Sequence, residues 1–421
     1  MAFHSSNATS LAKYLKPMSM KKSLPGIVLA VLLGVCFSPQ VTAQDRFLGT
    51  LSDPSTELMS HDFRYVGEYG GWRYGLYNAG YASTLEHPKN LDIDVKLCRW
   101  KTDDAAHREV CQVWHTGQGI TDDFRAPYDP TGIIEGHVLH ILFCPGVDGR
   151  SAYVHVPYDL EKKQLGKEEV MTLDGVQMTV AGVLDNYKAR TGAEIPWFTD
   201  GGAETAFGIG MNVEIVRHRG WYYSVVSAFA QGFTCMVIRS RDLVRWETVG
   251  IPDLSHLHIG NCYWEGVVHP LHVDLFAFAI RVQDENGVIY GTWDASTGAF
   301  SNLQAIEGGI TARPEIFEYK GNAYLYCNTF GPSELEGGGS VFRATVSFYR
   351  ISEDGSSLSF VRAKSVPEGI HYATFYVEPG RRWFWHVPAR DRLCIVYSTD
   401  TRRLNLVHAR SNIALEELTL D

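Results

Sequence analysis

No disulfide framework and no basic patch can be found in this sequence of 421 residues. Four lysines and no acidic residue lie in residues 1–43, so residues 44–421 carry 34 lysines and arginines against 48 acidic residues, a net charge of −14. This acidic balance argues against nucleic acid or an anionic membrane as a partner. Seven cysteines in the same stretch are odd in number and irregularly spaced. Only Cys98 and Cys111, which flank one polar hairpin, remain a candidate pair.

Several catalytic and cofactor signatures are also absent. The sequence has no Gly-x-Ser-x-Gly elbow, no glycine loop for phosphate and no Cys-x-x-Cys knuckle. His137 and His140, like His256 and His258, come without a third ligand at a recognised spacing. We therefore expect neither a metal nor an organic cofactor. Long stretches of helical periodicity are missing too, which favours an all-β fold.

The first 43 residues read as a targeting segment. Lys21 and Lys22 precede an apolar run over 27–37, and Val41 and Ala43 occupy the small-residue positions before a cleavage point. Because the run is too short to span a bilayer, it predicts a signal peptide cleaved near Ala43 and not a membrane anchor. The expected location is therefore secreted or periplasmic, with residues 44–421 as the mature domain.

What the sequence does contain is a repeat of β-rich segments. Six apolar strands recur at 71–80, 137–146, 221–229, 274–281, 322–329 and 392–398. A second strand and a polar turn follow them, as in SRDLVRWE (240–247), where Asp242 is expected to bond the turn and Trp246 to pack between units. Units of this size cannot bury both sheet faces alone and must stack. The pattern predicts an all-β β-propeller with six blades, five being the alternative, and an irregular stretch over 162–210.

A further strand precedes each of four of these runs, at 128–136, 211–220, 263–271 and 312–321. As the innermost strand of its blade, each would open at the mouth of the central channel. Five charged side chains would converge there: Asp129, Glu214, Glu265, Arg313 and Glu315.

Several of these segments resemble propeller glycosidases. The Asp-Pro of YDPTGIIEGHVLHILF (128–143) and the Glu-Gly of YWEGVVHPLHVDLFAF (263–278) are similar to the catalytic strands of arabinanase- and xylosidase-like enzymes. SRDLVRWE is similar to a hairpin of that group and of the levanase and invertase group. ARPEIFEYKGNAYLY (312–326) is similar to an arginine-containing inner strand that sialidases share.

This resemblance implies a glycoside hydrolase acting on an oligo- or polysaccharide. It makes Asp129 the base or nucleophile, Glu265 the acid, and Glu214 a residue that orients the acid. Asp200 or Glu204 are alternatives to Asp129. A funnel-shaped pocket favours exo action on a chain end.

Substrate contacts are expected from residues of the same strands and one loop. Arg313 and Glu315 would bind or balance polar groups of the sugar, unless they only pair with each other. Tyr263, Trp264 and Trp197 would stack on sugar faces.

Two other functions stay open. A propeller polysaccharide lyase would use His269 or His371, or Tyr263, to remove a proton next to a uronate carboxylate that Arg313 neutralises. A non-catalytic carbohydrate-binding propeller would need only the aromatic platforms.

Overall fold

The structure is a computed structural model. It describes residues 44–52, 59–80, 93–101, 104–114, 128–144, 152–193, 209–210, 215–228, 234–257, 259, 263–282, 287–307, 310–334, 340–365, 371–380, 391–399 and 413–420. The predicted signal peptide lies outside the described residues.

The described chain is almost entirely β-structure. Its first strands are β1 (Arg46–Thr50), β2 (Met59–Tyr69), β3 (Trp72–Gly80), β4 (Ile93–Lys101), β5 (Asp104–Trp114), β6 (Tyr128–Glu135), β7 (Val138–Cys144), β8 (Val154–Asp159), β9 (Gln164–Leu165), β10 (Glu169–Val170), β11 (Thr172–Leu173) and β12 (Val176–Gln177). After helix α1 (Val180–Thr191) come β13 (Ile209–Gly210), β14 (Val216–His218), β15 (Trp221–Ala228), β16 (Cys235–Ser240), β17 (Arg245–Gly250), a 3₁₀ turn (Ser255–Leu257), β18 (Tyr263–Pro270), β19 (Leu275–Val282), β20 (Gly287–Asp294) and β21 (Phe300–Glu307). The last are β22 (Ile310–Tyr319), β23 (Asn322–Glu334), β24 (Ser340–Ile351), β25 (Leu358–Ser365), β26 (His371–Glu378), β27 (Arg392–Ser398) and β28 (Ile413–Leu418).

These strands form six sheets, which we number as blades. From the inner strand outward, blade 1 is β2-β3-β4-β5, blade 2 is β6-β7-β8-β10 with β9 also on β8, blade 4 is β18-β19-β20-β21 and blade 5 is β22-β23-β24-β25. Blade 3 runs from β13 and β14 through β15-β16-β17 to β11 and β12, and blade 6 is β26-β27-β28-β1. The prediction of six blades is confirmed, and the six apolar strands predicted from the sequence are the second strands of the six sheets.

The core consists of six hydrophobic clusters, one between each pair of neighbouring blades. For example, Phe276 of blade 4 packs with Tyr223 of blade 3, and Phe375 of blade 6 packs with Phe317 of blade 5. The cluster between blades 6 and 1 contains Tyr376 and Trp100 and completes the circle. Since every blade is covered on both faces, the hydrophobic alternation of single strands is largely replaced by continuous apolar runs.

The ring is closed by the two ends of the described chain. Strand β1 pairs antiparallel with β28, placing Arg46 opposite Glu417, and their side chains form an ion pair of 2.7 Å. Asp45 also binds Arg362 and Lys364 on the outer strand of blade 5, at 2.8 and 3.0 Å. An early segment thus supplies the outermost strand of the last blade.

The polar hairpins act as predicted for Asp242. Its carboxylate accepts hydrogen bonds from the backbone amides of Val244 and Arg245, at 3.0 and 2.8 Å. Trp246 lies buried in the cluster between blades 2 and 3. Asp159, Asp294 and Asp354 accept equivalent turn bonds in blades 2, 4 and 5.

The prediction of an irregular stretch over 162–210 was wrong for its first part. Strands β9 to β12 and helix α1 fill residues 164–191. Thr179 caps the helix by accepting a bond from the amide of Gly182, and Gly192 ends it with φ of 72°. Four apolar side chains of this short helix insert into the cluster between blades 2 and 3: Val180, Val183, Leu184 and Tyr187.

The candidate pair of cysteines does not meet. Cys98 faces the cluster between blades 6 and 1, whereas Cys111 packs on the cluster between blades 1 and 2. Both are thiols. As for the membrane, no helix among the described residues has the length and apolar character needed to cross a bilayer.

Candidate active site

Five of the six inner strands carry an irregularity near their first residues. In β2, β6, β22 and β26, two residues lie opposite one residue of the neighbouring strand, and in β18 one extra residue is inserted. The first bulged residues are Asp62, Asp129, Arg313, Tyr372 and, in β18, Glu265. Bulges turn a side chain away from the pleat and are common beside active sites. Here they repeat at one end of the ring.

Three of these bulged residues have a backbone conformation that side chains disfavour. The φ angles of Asp62, Glu265 and Tyr372 are 54°, 57° and 46°. Each costs roughly 1–2 kcal/mol relative to an ordinary conformation. Such strain persists only where the surrounding structure enforces it, so the three side chains are held in fixed directions.

The Glu-Gly sequence of β18 has a packing reason. A Cβ atom at Gly266 would lie 2.4 Å from Cγ1 of Val225 in blade 3. Only glycine therefore lets blade 3 approach β18 directly after the bulge. This close approach fixes the direction of Glu265, which is 1% exposed.

Arg281 joins Glu265 to Tyr372. Its Nη1 atom donates to Oε2 of Glu265 at 2.8 Å, and the guanidinium also hydrogen-bonds the side chain of Tyr372. Burial on its own lowers the pKa of Arg281, but the neighbouring oxygen atoms of Glu265 and Tyr372 offset this effect, and its pKa lies above the usual value. Arg281 stays charged.

Two further arginines, Arg313 and Arg64, belong to the same end of the ring. The guanidinium carbon of Arg313 is 5.4 Å from the centre of the Tyr372 ring, within the range of a cation–π contact. Arg313 and Arg64 line one small cavity together with Glu315, Thr131 and other residues of blades 1, 2, 5 and 6. Arg281 of blade 4 and Arg313 of blade 5 thus both contact Tyr372, and Arg64 of blade 1 lines the cavity that Arg313 also lines.

The carboxyl group of Glu315 lines the same cavity as Arg64 and Arg313. Its carboxylate is 3.7 Å from Nη2 of Arg313 and accepts a hydrogen bond of 3.1 Å from the hydroxyl of Thr374. Burial raises the pKa of Glu315 to about 7, although Arg64, Thr374 and the amide of Phe375 pull it down. The described lining of this cavity thus contains two arginines and one carboxyl group, Glu315.

The structure brings together three of the residues singled out from the sequence: Glu265, Arg313 and Glu315. Asp129 lies on the bulge of β6, at the same end of the ring, but its side chain is outside the described part. The side chains of Trp264 and His371, and the whole of Glu214 and Trp197, are also outside the described residues.

Two other predicted residues lie away from the tyrosine. The hydroxyl of Tyr263 donates to the carbonyl of Ile259 at 3.0 Å, and the ring is fully buried. His269 is four residues beyond Glu265 along β18, roughly 13 Å away. It lines a cleft of about 570 Å³ between blades 4 and 5 at the other end of the strands, and burial lowers its pKa to about 4.

Sequence reasoning missed Arg64, Arg281, Tyr372 and Asp62. One signal was available for Arg281, a single charged residue inside the apolar run LFAFAIRV. A charge in such a run is costly unless it is paired, so it indicates a buried partner. Among the described residues, no group of three or more His, Cys, Asp and Glu side chains is arranged to hold a metal ion.

No protein-family model matches this sequence, and no curated protein is significantly similar to it. Solved structures share its fold. A mutant of Trypanosoma rangeli sialidase that displays trans-sialidase activity is similar with a TM-score of 0.51 and 13% identity, over 86% of this chain and 54% of that one. A Hadza microbial sialidase is similar with a TM-score of 0.50 and 10% identity, over 86% of this chain and 66% of that one.

The chain therefore spans about half the length of the Trypanosoma rangeli protein and about two thirds of the other. Its fold is the six-bladed propeller of these glycoside hydrolases.

Proposed function

We propose that the protein is a glycoside hydrolase that removes a terminal acidic sugar, such as a sialic acid, with Tyr372 as the nucleophile. One observation carries the proposal: a tyrosine in a strained conformation is covered by Arg313 and hydrogen-bonded to Arg281, which also binds the carboxylate of Glu265. The sialidase names of the structural neighbours agree with it but are not its basis.

The three arginines account for the acidic sugar. A guanidinium offers a planar fork of donors that matches a carboxylate, and Arg is the residue best suited to that task. Arg64, Arg281 and Arg313 come from blades 1, 4 and 5, and three guanidiniums suit a single terminal carboxylate better than a neutral hydroxyl. A terminal group held in this way also favours exo action.

A tyrosine nucleophile suits a substrate whose carboxylate lies next to the anomeric carbon. A carboxylate nucleophile would be repelled by that charge, whereas a neutral phenol is not. Tyrosine replaces the usual carboxylate in sialidases for such a reaction. Glu265 would accept the phenolic proton as the phenolic oxygen bonds to the anomeric carbon and the glycosidic bond breaks. Water would then release the sugar and restore the tyrosine.

The leaving oxygen needs a proton from an acid. Candidates are three aspartates of blades 1 and 2: Asp62 and Asp129 on their bulges, and Asp94, which is buried at the start of β4. Asp129, for which the sequence resemblance implies the role of base or nucleophile, is here proposed as a candidate acid instead. We also propose secretion or export to the periplasm, where such glycans are met, on the strength of the leader sequence.

The test is hydrolysis by the purified protein of an aryl sialoside, an aryl glucuronide and an aryl galactoside. We expect cleavage of an acidic substrate and none of the galactoside. Cleavage of the neutral substrate alone would refute the role of the arginines.

The acid is identified by changing each candidate aspartate to asparagine. The variant of the true acid should lose activity on an alkyl-linked natural glycan and keep much of it on an activated aryl glycoside, which needs no proton. Equal losses on both substrates for all three variants would refute the assignment to these aspartates.

A lyase remains the second candidate, because a tyrosine beside arginines also suits removal of a proton next to a uronate carboxylate. Its product contains a double bond and absorbs in the ultraviolet. Following ultraviolet absorbance and reducing ends together on a polyuronate separates elimination from hydrolysis.

A further inference from the structure

Two histidines of blade 2 contact each other in a way that the proposed catalytic steps do not use. Nδ1 of His140 on β7 is 2.9 Å from Nε2 of His155 on β8, and the two rings stack with their centres 5.2 Å apart. We propose that this pair makes the contact between blades 2 and 3 acid-sensitive: the contact is closed while both imidazoles are neutral and opens locally when the pair takes up a proton. This inference goes beyond the proposed function and does not depend on it.

Both side chains face blade 3. Along β7, His140 points to the same face as Leu142 and Cys144, and His155 points to the same face as Tyr153, which comes just before β8. Leu142, Cys144 and Tyr153 belong to the cluster between blades 2 and 3. His155 is 4% exposed, and His140 is partly buried. A charge on the pair therefore lies against the interior face of the neighbouring blade.

The hydrogen bond within the pair leaves no place for an additional proton. Among the described residues, Nδ1 of His155 is buried without a hydrogen-bond partner. The favoured arrangement therefore has Nε2 of His155 donating to Nδ1 of His140, because no buried N–H is then left without an acceptor. A further proton on the bonded pair must go to the buried Nδ1 of His155, whichever ring then carries the charge. It creates a buried charge and an unpaired donor together.

The charged groups around the pair are engaged elsewhere. Glu135 on β6 forms an ion pair of 2.9 Å with Arg217 of blade 3. Asp242 of blade 3 accepts the turn bonds of its own hairpin. Glu169 on β10 lies opposite His155 in the sheet and is exposed to solvent. Among the described residues, none of these carboxylates hydrogen-bonds either imidazole, so the pair has no anion to stabilise an added proton.

The direction of the pH effect follows from this burial. Burial lowers the pKa of His140, and burial together with His140 lowers the pKa of His155 to about 4, although Glu135 and Asp242 act in the opposite direction. When the contact opens, water reaches the rings and their pKa returns to about 6.5. The open form then binds the proton more tightly, so the contact is fully stable above about pH 6.5 and weakens as the pH falls.

The size of the effect can be stated as a ratio of populations. One imidazole that stays neutral in the closed form and has its ordinary pKa in the open form makes the open population about 25-fold larger at pH 5 than at pH 7. The effect is local, so it has to be measured at the contact itself. Global stability also responds to other buried groups that titrate over the same range.

The experiment measures local opening by labelling buried thiols with 4,4′-dithiodipyridine, which reacts at acidic as well as neutral pH, followed by mass spectrometry of peptides. Cys144 lies between blades 2 and 3, and Cys327 lies between blades 4 and 5. Relative to glutathione at the same pH, the labelling rate of Cys144 should rise about 25-fold from pH 7 to pH 5, and that of Cys327 should not change. A constant rate at Cys144, or an equal rise at both cysteines, would overturn the inference.

Two variants at one position assign the effect to the pair. His155→Phe keeps a stacked ring, and His155→Gln keeps a donor for Nδ1 of His140, but neither side chain titrates. In each variant the rise at Cys144 should shrink to about threefold or less. His272→Gln is the matched control, because His272 is an exposed histidine that donates to the carbonyl of Glu353 at 2.8 Å in blade 5. It should keep the full rise.

The unchanged protein and the variants give independent decisions. A full rise that persists in a folded variant at position 155 overturns the assignment to the pair. If one of these variants does not fold, as judged by circular dichroism at pH 7, the other decides. The comparison of Cys144 with Cys327 in the unchanged protein needs no variant. None of these measurements involves a substrate, so their outcome is separate from that of the proposed hydrolase.

Discussion

Replacing Tyr372 with phenylalanine removes one oxygen atom from the centre of the pocket and keeps the ring that Arg313 covers. If this oxygen is the nucleophile, kcat on an aryl sialoside should fall at least about 10³-fold, or roughly 4 kcal/mol in the activation barrier. KM should change little, because Arg64, Arg281 and Arg313, which we propose to bind the substrate carboxylate, are unchanged. A drop in kcat with a constant KM indicates loss of an interaction that acts in the transition state alone.

The effect on stability should be small by comparison. The hydroxyl of Tyr372 loses its bond to Arg281, but Arg281 keeps its ion pair of 2.8 Å with Glu265. One hydrogen bond to a charged group is worth about 1.5–3 kcal/mol at most. Thermal unfolding should therefore shift by only a few degrees, and the variant should remain folded at assay temperature.

Tyr290→Phe is the matched control. That hydroxyl is buried in blade 4 and donates to the carbonyl of Gly355 at 2.9 Å, away from the bulges. Its loss should cost stability and leave kcat unchanged. A folded Tyr372→Phe protein that keeps more than about a tenth of the kcat would refute the role of the phenol as nucleophile.

Three further changes test other parts of the structure. Arg313→Lys should raise KM for an acidic glycoside about tenfold, because an ammonium cannot form the planar fork, and steady-state kinetics showing an unchanged KM would contradict this. The unchanged protein should lose up to about 3 kcal/mol of stability as pH rises from about 4.5 to about 7, since the folded-state pKa of Glu315 is raised from 4.5 to about 7 and its stabilising protonated form is lost over that range. Glu315→Gln should not show this loss when the free energy of unfolding is measured in urea from pH 5 to pH 8. The same pH dependence of that free energy in both proteins would contradict the role of Glu315. Asp242→Ala should lower the free energy of unfolding by about 2 kcal/mol without altering kcat, and an unaltered urea midpoint would show that the turn does not depend on it.

The blades were predictable because their second strands are continuous apolar runs. The strands VLHILFC and LFAFAIRV are largely buried on both faces, and such runs stand out against turns rich in glycine and aspartate. The hairpin of Asp242 was predictable for a different reason, since the turn residues interact within four positions of each other.

The centre of the site was only partly predictable. Glu265 and Arg313 belong to recognisable segments, whereas the inner strands β2 and β26 were not identified, and with them Arg64 and Tyr372 were missed. Both strands contain bulges, which interrupt the alternation of polar and apolar residues by which a strand is recognised. Arg281 was missed because its partner Glu265 is sixteen residues away, in the neighbouring strand. Helix α1 has too few turns for its periodicity to be distinctive.

The pairing of Arg46 with Glu417 joins positions 371 residues apart. Bringing two such distant points together costs on the order of 5 kcal/mol of chain entropy by the logarithmic dependence on loop length. A linear array of repeats can grow from any unit and fray at its ends, but a circle has no end to fray. This protein should therefore unfold in a single step. During synthesis, the ring should not finish folding until its final strand has left the ribosome.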